Sequence, residues 1–239
     1  KGNLMIPFFY FKEMEEDVLT ELNNMISSKK VELFEEIAAL RTNYLTVVLE
    51  DVYQEHNASA ILRTCDCFGI QELRTIEKNN EYKIQRDIAR GAGRWVDLYS
   101  YGNGINPTLE CLNELKSKGY KIVATTPHEK DTKLSELPLD CPMALVFGTE
   151  MNGISSEVVD NADYFVKIPM YGFTESYNIS VAVALTLQSL RNRLQNENIS
   201  FVLSKEEQIK LKIKWATKII RNGDKIEQEI HRRLMEKTK

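Results

Sequence analysis

The sequence predicts an α/β fold, with a parallel sheet flanked by helices and a helical extension at each end. Three observations predict it. Short apolar, β-branched runs alternate with helical segments through the middle of the chain, the pattern of strands buried on both faces and joined by crossover helices. The two ends show only helical spacing of apolar residues. The chain has 239 residues, 43% hydrophobic and 28% charged, enough to bury a sizeable core and too apolar for disorder. These patterns divide it into an N-terminal helical extension at 1–43, an α/β domain at 44–195 and a basic helical extension at 196–239.

Residues 10–40 carry apolar side chains at helical spacing (Val18, Leu22, Met25, Ile26, then Val31, Phe34, Ile37, Leu40), with a break near Asn23-Asn24 and Ser27-Ser28. Residues 44–52 read as a buried strand. Asn57 fits the N-cap of the helix that follows, and Gly69 the position just past its end. Strands are expected at 72–76, 95–101, 121–126, 143–147 and 164–168. Pro107 opens a helix that Gly119 closes, and Ser155 caps a short one. A long apolar helix runs from 178 to 194, and 204–237 return to helix, broken at Asn222-Gly223.

Net charge is −4, from 31 basic and 35 acidic residues, which excludes a globally basic nucleic-acid binder. The charge is uneven: residues 1–40 are acidic, while 74–94 and 201–239 are basic. Four cysteines form no disulfide framework, so reduced thiols and a cytoplasmic setting are expected. The apolar run Leu4–Phe11 is too short to span a membrane and lacks the flanks of a secretory signal. No metal site is expected: Cys65 and Cys67 point to different helix faces, and His56, His128 and His231 are scattered. Gly102-Asn-Gly104 has Pro107 at the third glycine position of a dinucleotide fingerprint and reads as a turn. No phosphate loop and no nucleophile elbow occur.

Three segments are out of place as plain core. In the first, Arg63 lies six residues beyond Asn57; Ile61 and Leu62 beside it suggest partial burial, and an ordinary salt bridge to Asp66 or Glu50 is the plain structural alternative. In the second, the strand at 143–147 runs into Gly148-Thr-Glu-Met-Asn-Gly153, which puts Glu150 at the sheet rim, where parallel sheets bind ligands. In the third, Ser176, Asn178 and Ser180 line the start of the long apolar helix, whose free N–H groups form a polar end.

Taken together, in this order and spacing, the three segments resemble the SpoU/TrmH family of RNA ribose 2′-O-methyltransferases. Asn57, Ser59, Arg63, Thr64, Phe68 and Gly69 match the first family motif; Phe147, Gly148, Glu150, Gly153, Ile154 and Ser155 the second; Ile168, Pro169, Met170, Ser176, Asn178, Ile179, Ser180 and Ala182 the third. The stretch 45–52 with His56-Asn57, the preceding helix and the basic C-terminal helices look most like the tRNA branch, which modifies a D-loop guanosine.

The resemblance implies a C-terminal trefoil knot around 121–195, a homodimer, and S-adenosylmethionine as cofactor, held by Thr125, Gly148, Ile168, Met170 and Tyr177. Tyr177 is a departure, because tRNA enzymes of the family often carry Leu there. The implied catalytic set is Arg63, Asn57, Glu150, Ser176 and Asn178. A guanidinium is almost never deprotonated, so Arg63 would bind the phosphate beside the target ribose and stabilise developing alkoxide. Asn57, Ser176 and Asn178 would orient it and the ribose, and Glu150 would anchor the arginine or its loop. RNA, expected as tRNA, would contact His56 and, on the basic segments, Arg86, Arg90, Arg94, Arg191, Arg193, Arg232 and Arg233. The alternatives are a ribosomal RNA ribose methyltransferase, and an inactive RNA-binding protein on the same fold.

Overall fold

The computed structural model of the protein describes residues 8–126, 132–149 and 152–236; the side chains of residues 8–12 and of Arg86, and with them most of the Leu4–Phe11 run, lie outside the described set. Two compact units result, one of residues 42–201 and one that joins 1–41 to 202–239. The terminal segments, which the sequence presents as separate extensions, therefore make a common unit. It begins with α1 (Phe8–Asn23) and α2 (Ser28–Ala38), parted where the polar Asn and Ser pairs stand.

The larger unit runs β1 (Leu45–Glu50), α3 (Glu55–Cys67), β2 (Glu72–Ile76), α4 (Arg86–Ala89), a single 3₁₀ turn (Ala92–Arg94), β3 (Asp97–Tyr101), α5 (Pro107–Ser117), β4 (Lys121–Thr125), β5 (Thr132–Lys133), β6 (Met143–Phe147), α6 (Ser156–Asn161), β7 (Tyr164–Lys167) and α7 (Ile179–Asn196). All seven strands are parallel, in the order β3-β2-β1-β6-β4-β7-β5. Leu49 stands in register with Thr75 on one side and Phe147 on the other, and Thr125 with Val166. A parallel sheet brings all its C-terminal strand ends to one rim, so Glu50, Thr125, Phe147 and Lys167 gather there.

Alternation along the strands feeds two cores. Val47, Leu49, Leu145 and Phe147 bury against Ile61 and Leu62 of α3 and Val183, Leu187 and Leu190 of α7. Val48, Ala144 and Val146 face Leu112 and Leu115 of α5 and Val158 of α6. Each of the Val, Leu, Ile and Phe side chains contributes about 1.5–3 kcal/mol on burial. The helix starts follow the sequence at three places: Asn106 Oδ1 accepts from the Leu109 N–H before Pro107 has turned once, Ser155 Oγ accepts from Val158, and Asn178 Oδ1 from Ser180. One expectation fails. Asn57 is not an N-cap: α3 starts at Glu55 behind Gln54, and Asn57 lies inside the first turn, buried.

The second unit is completed by α8 (Lys205–Ile219), opened by a reciprocal capping box between Ser204 and Glu207, and α9 (Gly223–Glu236). Trp215 is fully buried, tilted against Phe34 with 5.4 Å between ring centroids and covered by the Arg41 guanidinium. The acidic N-terminal helices take up charge from the basic C-terminal ones: Lys212 pairs with Glu35, Arg233 with Glu21, and His231 stands 3.7 Å from Glu15. Among the described residues, no helix is long and apolar enough to cross a membrane.

Candidate active site

At the rim of the sheet, the ends of β4, β6 and β7, residues 152–154 and the segment leading into α7 line a cavity of about 680 Å³. Its polar wall includes Thr125, Thr126, Thr149 and Ser176; its apolar wall includes Phe147, Ile154, Ile168, Met170 and Ile179. All five residues expected to hold a cofactor, Thr125, Gly148, Ile168, Met170 and Tyr177, line it, together with Ser176 of the expected catalytic set. Thr125 is fixed by donating its hydroxyl to the Val146 carbonyl at 2.9 Å, and the Tyr177 hydroxyl reaches the Pro169 carbonyl at 3.4 Å.

Gly148 is there because nothing larger fits. Thr149 and Gly153 exchange backbone hydrogen bonds of 2.9 and 3.0 Å, which folds the loop onto itself. A Cβ on Gly148 would lie 2.0 Å from the Gly153 carbonyl oxygen. Gly153 itself takes φ +67°, a region that L side chains rarely adopt. Glu150, expected in this loop, lies outside the described residues.

The first and third motifs meet directly. Asn178 Nδ2 donates to Asn57 Oδ1 at 3.1 Å, while Asn178 Oδ1 accepts from both the Ser180 N–H (2.9 Å) and hydroxyl (2.6 Å). Asn57 also donates to Gln54 at 3.1 Å. A buried amide left without partners costs about 1–3 kcal/mol, so the asparagine pair locks α3 to the start of α7. Ser59 extends the first motif differently: its hydroxyl donates to the Glu55 carbonyl and accepts from the Gln85 N–H at 2.7 Å each.

Arg63 departs from expectation in a useful way. Its side chain is exposed and makes no ion pair among the described residues, neither to Asp66 nor to Glu50. Glu50 is engaged elsewhere: it is buried and bonds to Ser155, Thr108 and Lys78. The sequence offered Glu50 only as a partner for Arg63 and its role against Ser155 was missed, although an acidic residue ending an otherwise apolar strand is itself a signal. Asp51, also missed, takes φ +56° and accepts from the N–H groups of Lys78, Asn79 and Asn80. Burial alone raises its carboxyl pKa, but the bonds from Asn79, Asn80 and Lys78 outweigh that and hold it below the usual range.

The basic residues separate into different environments. Arg74, counted in the basic 74–94 stretch, adds nothing to the surface: it is fully buried, bonded to Glu72, Glu114 and the Tyr101 hydroxyl, and stacked on Tyr99. His56, Arg90 and Arg94 are exposed, and the Arg86 side chain lies outside the described residues. Arg191 is half-buried over the Phe201 ring at 4.4 Å, and burial lowers its pKa. Arg193 donates to the Leu134 and Leu137 carbonyls at 2.8 Å each and pairs with Glu197. Arg232 is held between Glu229 and Glu236, and Arg233 by Glu21. The arginines at 191, 193, 232 and 233 thus all have intramolecular work, which a count of charges along the chain could not reveal.

Comparison with known proteins adds family relationships. Residues 44–188 match the model of the SpoU rRNA Methylase family. The chain is 42% identical over 221 residues, 91% of its length and 100% of the relative, to the tRNA (guanosine(18)-2′-O)-methyltransferase of Borreliella burgdorferi. It is 33% identical to the Aquifex aeolicus enzyme of the same description, covering 80% of this chain and 90% of that one. A crystal structure of the A. aeolicus TrmH/SpoU tRNA modifying enzyme superposes with a TM-score of 0.72 at 34% identity, over 81% of this chain and 98% of that one.

Proposed function

Because the chain belongs to the SpoU methylase family, we propose that it transfers a methyl group from S-adenosylmethionine to the ribose 2′-hydroxyl of a tRNA guanosine, the one at position 18 named for its relatives. The observation that carries this reading is the Asn178–Asn57 hydrogen bond, which couples the helix bearing Arg63 to the loop that closes the cavity. The cavity suits the cofactor. It combines apolar walls with backbone groups at strand ends, and its volume of about 680 Å³ is in the range of small-molecule sites.

When bound, the cofactor supplies a strongly electrophilic methyl, so the protein must mainly align a hydroxyl and ease the loss of its proton. Thr125, Gly148, Ile168, Met170 and Tyr177 hold the cofactor in this reading. Arg63, exposed and without an ion pair among the described residues, binds the phosphate beside the target ribose and stabilises charge growing on the 2′-oxygen. Asn57 and Asn178 keep α3 and the α7 start in register, Ser176 orients the ribose from the cavity wall, and Glu150 anchors the loop.

The family's other features follow as parts of the same proposal. β6 inserted between β1 and β4, and β7 between β4 and β5, support a trefoil knot in the C-terminal part of the sheet unit. Tyr171 and Phe173, almost fully exposed, with Val181 and Leu185 on α7, support a homodimer in which Arg63 serves the partner's cavity. His56, Arg86, Arg90 and Arg94 form the phosphate-contacting surface of the sheet unit, while Arg191, Arg193, Arg232 and Arg233 act first as internal ties. The setting is cytoplasmic, where tRNA is encountered.

Ribosomal RNA is the second substrate to test, because the family description names it. Incubation with labelled S-adenosylmethionine and either tRNA or ribosomal RNA separates the readings. Label in tRNA is expected. Label only in ribosomal RNA favours the second, and label in neither leaves an RNA-binding protein without methyl transfer.

A further inference from the structure

We infer that Glu50 is a positioning residue for methyl transfer, which sets the loop walling the cavity and ties that loop to the basic segment after β2. The inference rests on reading the cavity as the cofactor site. Glu50 ends β1, one residue beyond the Leu49–Phe147 pairing, so its carboxylate stands at the rim, where Ser155 meets it. It is only 3% exposed. Its Oε2 accepts from the Ser155 N–H at 2.9 Å, and its Oε1 from the Ser155 hydroxyl at 2.6 Å and the Thr108 hydroxyl at 2.9 Å. The Lys78 ammonium lies 3.2 Å from the same oxygen and 3.3 Å from Glu157.

The groups bonded or paired to this carboxylate among the described residues are all donors, and it accepts from each of them. Its two bonds to Ser155 pin the residue next to Ile154 and Gly153, both of which line the cavity. The Gly148–Gly153 turn supplies its own backbone bridge, but that bridge fixes only the shape of the loop. The bonds from Ser155 to Glu50 fix where the loop sits against the sheet. Lys78 belongs to the segment that Asp51 and Ser59 strap over α3, so a single buried carboxylate joins the cavity wall to the segment that carries the basic side chains.

The test compares Glu50→Gln with Thr108→Val in the full chain. Glutamine keeps the volume and one acceptor but turns an N–H₂ toward donors, whereas Thr108→Val removes a donor on the α5 side and leaves both Ser155 bonds. S-adenosylhomocysteine binding is measured by calorimetry, and KM for cofactor and for tRNA by methyl transfer. For Glu50→Gln we expect about a tenfold loss of S-adenosylhomocysteine affinity, the scale of a buried donor left unpaired, with a matching rise in cofactor KM and, because the Lys78 link is weakened too, a smaller rise in tRNA KM. Thr108→Val lowers the melting temperature but leaves affinity within about twofold. If Glu50→Gln does not fold, Ser155→Ala reads the same link through loss of the hydroxyl bond, with about a threefold loss expected. Glu50→Gln or Ser155→Ala proteins that melt earlier yet bind S-adenosylhomocysteine like the wild type would overturn the inference alone. A wild-type protein that binds none of it would overturn the reading of the cavity as well.

Discussion

Arg63 and Arg74 carry the same side chain in opposite circumstances, and the contrast explains what each can do. Arg74 is fully buried and stacked on Tyr99; Glu72 and Glu114 neutralise it, which makes it a structural charge. Arg63 projects from α3 to solvent with no carboxylate taking its donors among the described residues, so all of them remain available to a phosphate. The Arg74 cluster has a pH signature. A hydrogen bond from Lys118, then the Tyr101 hydroxyl and Arg74, against an opposing effect of burial, push the Glu114 carboxyl down to about 2. A depressed folded-state pKa gives stability that is fully present above the ordinary value of 4.5 and is lost as pH falls toward 2. Thermal melts from pH 6 to pH 2.5 should therefore show a fall in melting temperature below about pH 4.5 that Glu114→Gln makes shallower. Identical profiles would show that Glu114 does not take part. The Glu114 side chain is 38% exposed, so the effect is modest.

At the scale of elements, the site depends on how short loops leave parallel strands. Gly148 shows how little tolerance the second loop has. Gly148→Ala places a methyl 2.0 Å from the Gly153 oxygen and must open the Thr149–Gly153 bridge. We expect this variant to keep its far-ultraviolet circular dichroism while losing at least about tenfold in S-adenosylhomocysteine affinity, the loss of a well-formed site. Unchanged affinity would mean that the loop adapts and does not shape the cavity. Much of this level could be read in the sequence. Apolar β-branched runs gave the positions of the longer strands, and Ser155 and Asn178 announced their helices through side-chain oxygens that only a helix start needs. What escaped was decided by tertiary partners. Asn57 looks like a cap because asparagine is good at capping, yet its amide is used by Asn178, which is 121 residues away. The two-residue β5 is too short to leave a periodic trace. Glu50 and Asp51 lie within the run read as a buried strand, and only the folded chain shows that one holds the Ser155 loop and the other the 78–80 turn. Charge along the chain misled for the same reason, since Arg74 is buried and Arg233 is paired to Glu21 across 212 positions.

At the scale of the molecule, two units divide the labour. The helical unit joins both chain ends and closes over Trp215, with acidic and basic helices offsetting one another. The sheet unit holds the cavity and all three motifs. Four of its exposed apolar side chains, Tyr171, Phe173, Val181 and Leu185, make up the surface on which a second copy is proposed to dock. Val181→Glu with Leu185→Glu, placed on the solvent face of α7, should convert the protein to monomers in sedimentation and abolish methyl transfer while the monomer keeps its fold. A monomeric double variant with full activity would separate catalysis from dimerisation and return Arg63 to its own chain's cavity.

The three motif loops and Arg63 together make up the proposed ribose methylation site for tRNA. The most direct measurement is nucleotide-resolved mapping of 2′-O-methylation on unmodified tRNA incubated with S-adenosylmethionine and either the wild-type protein or Arg63→Ala. One new 2′-O-methyl group is expected, on the guanosine at position 18, with at least about a hundredfold slower formation with Arg63→Ala, the usual cost of removing a group that stabilises a developing oxyanion. Methylation at wild-type rate by Arg63→Ala, or no ribose methylation of tRNA by the wild-type protein, would contradict the proposed site.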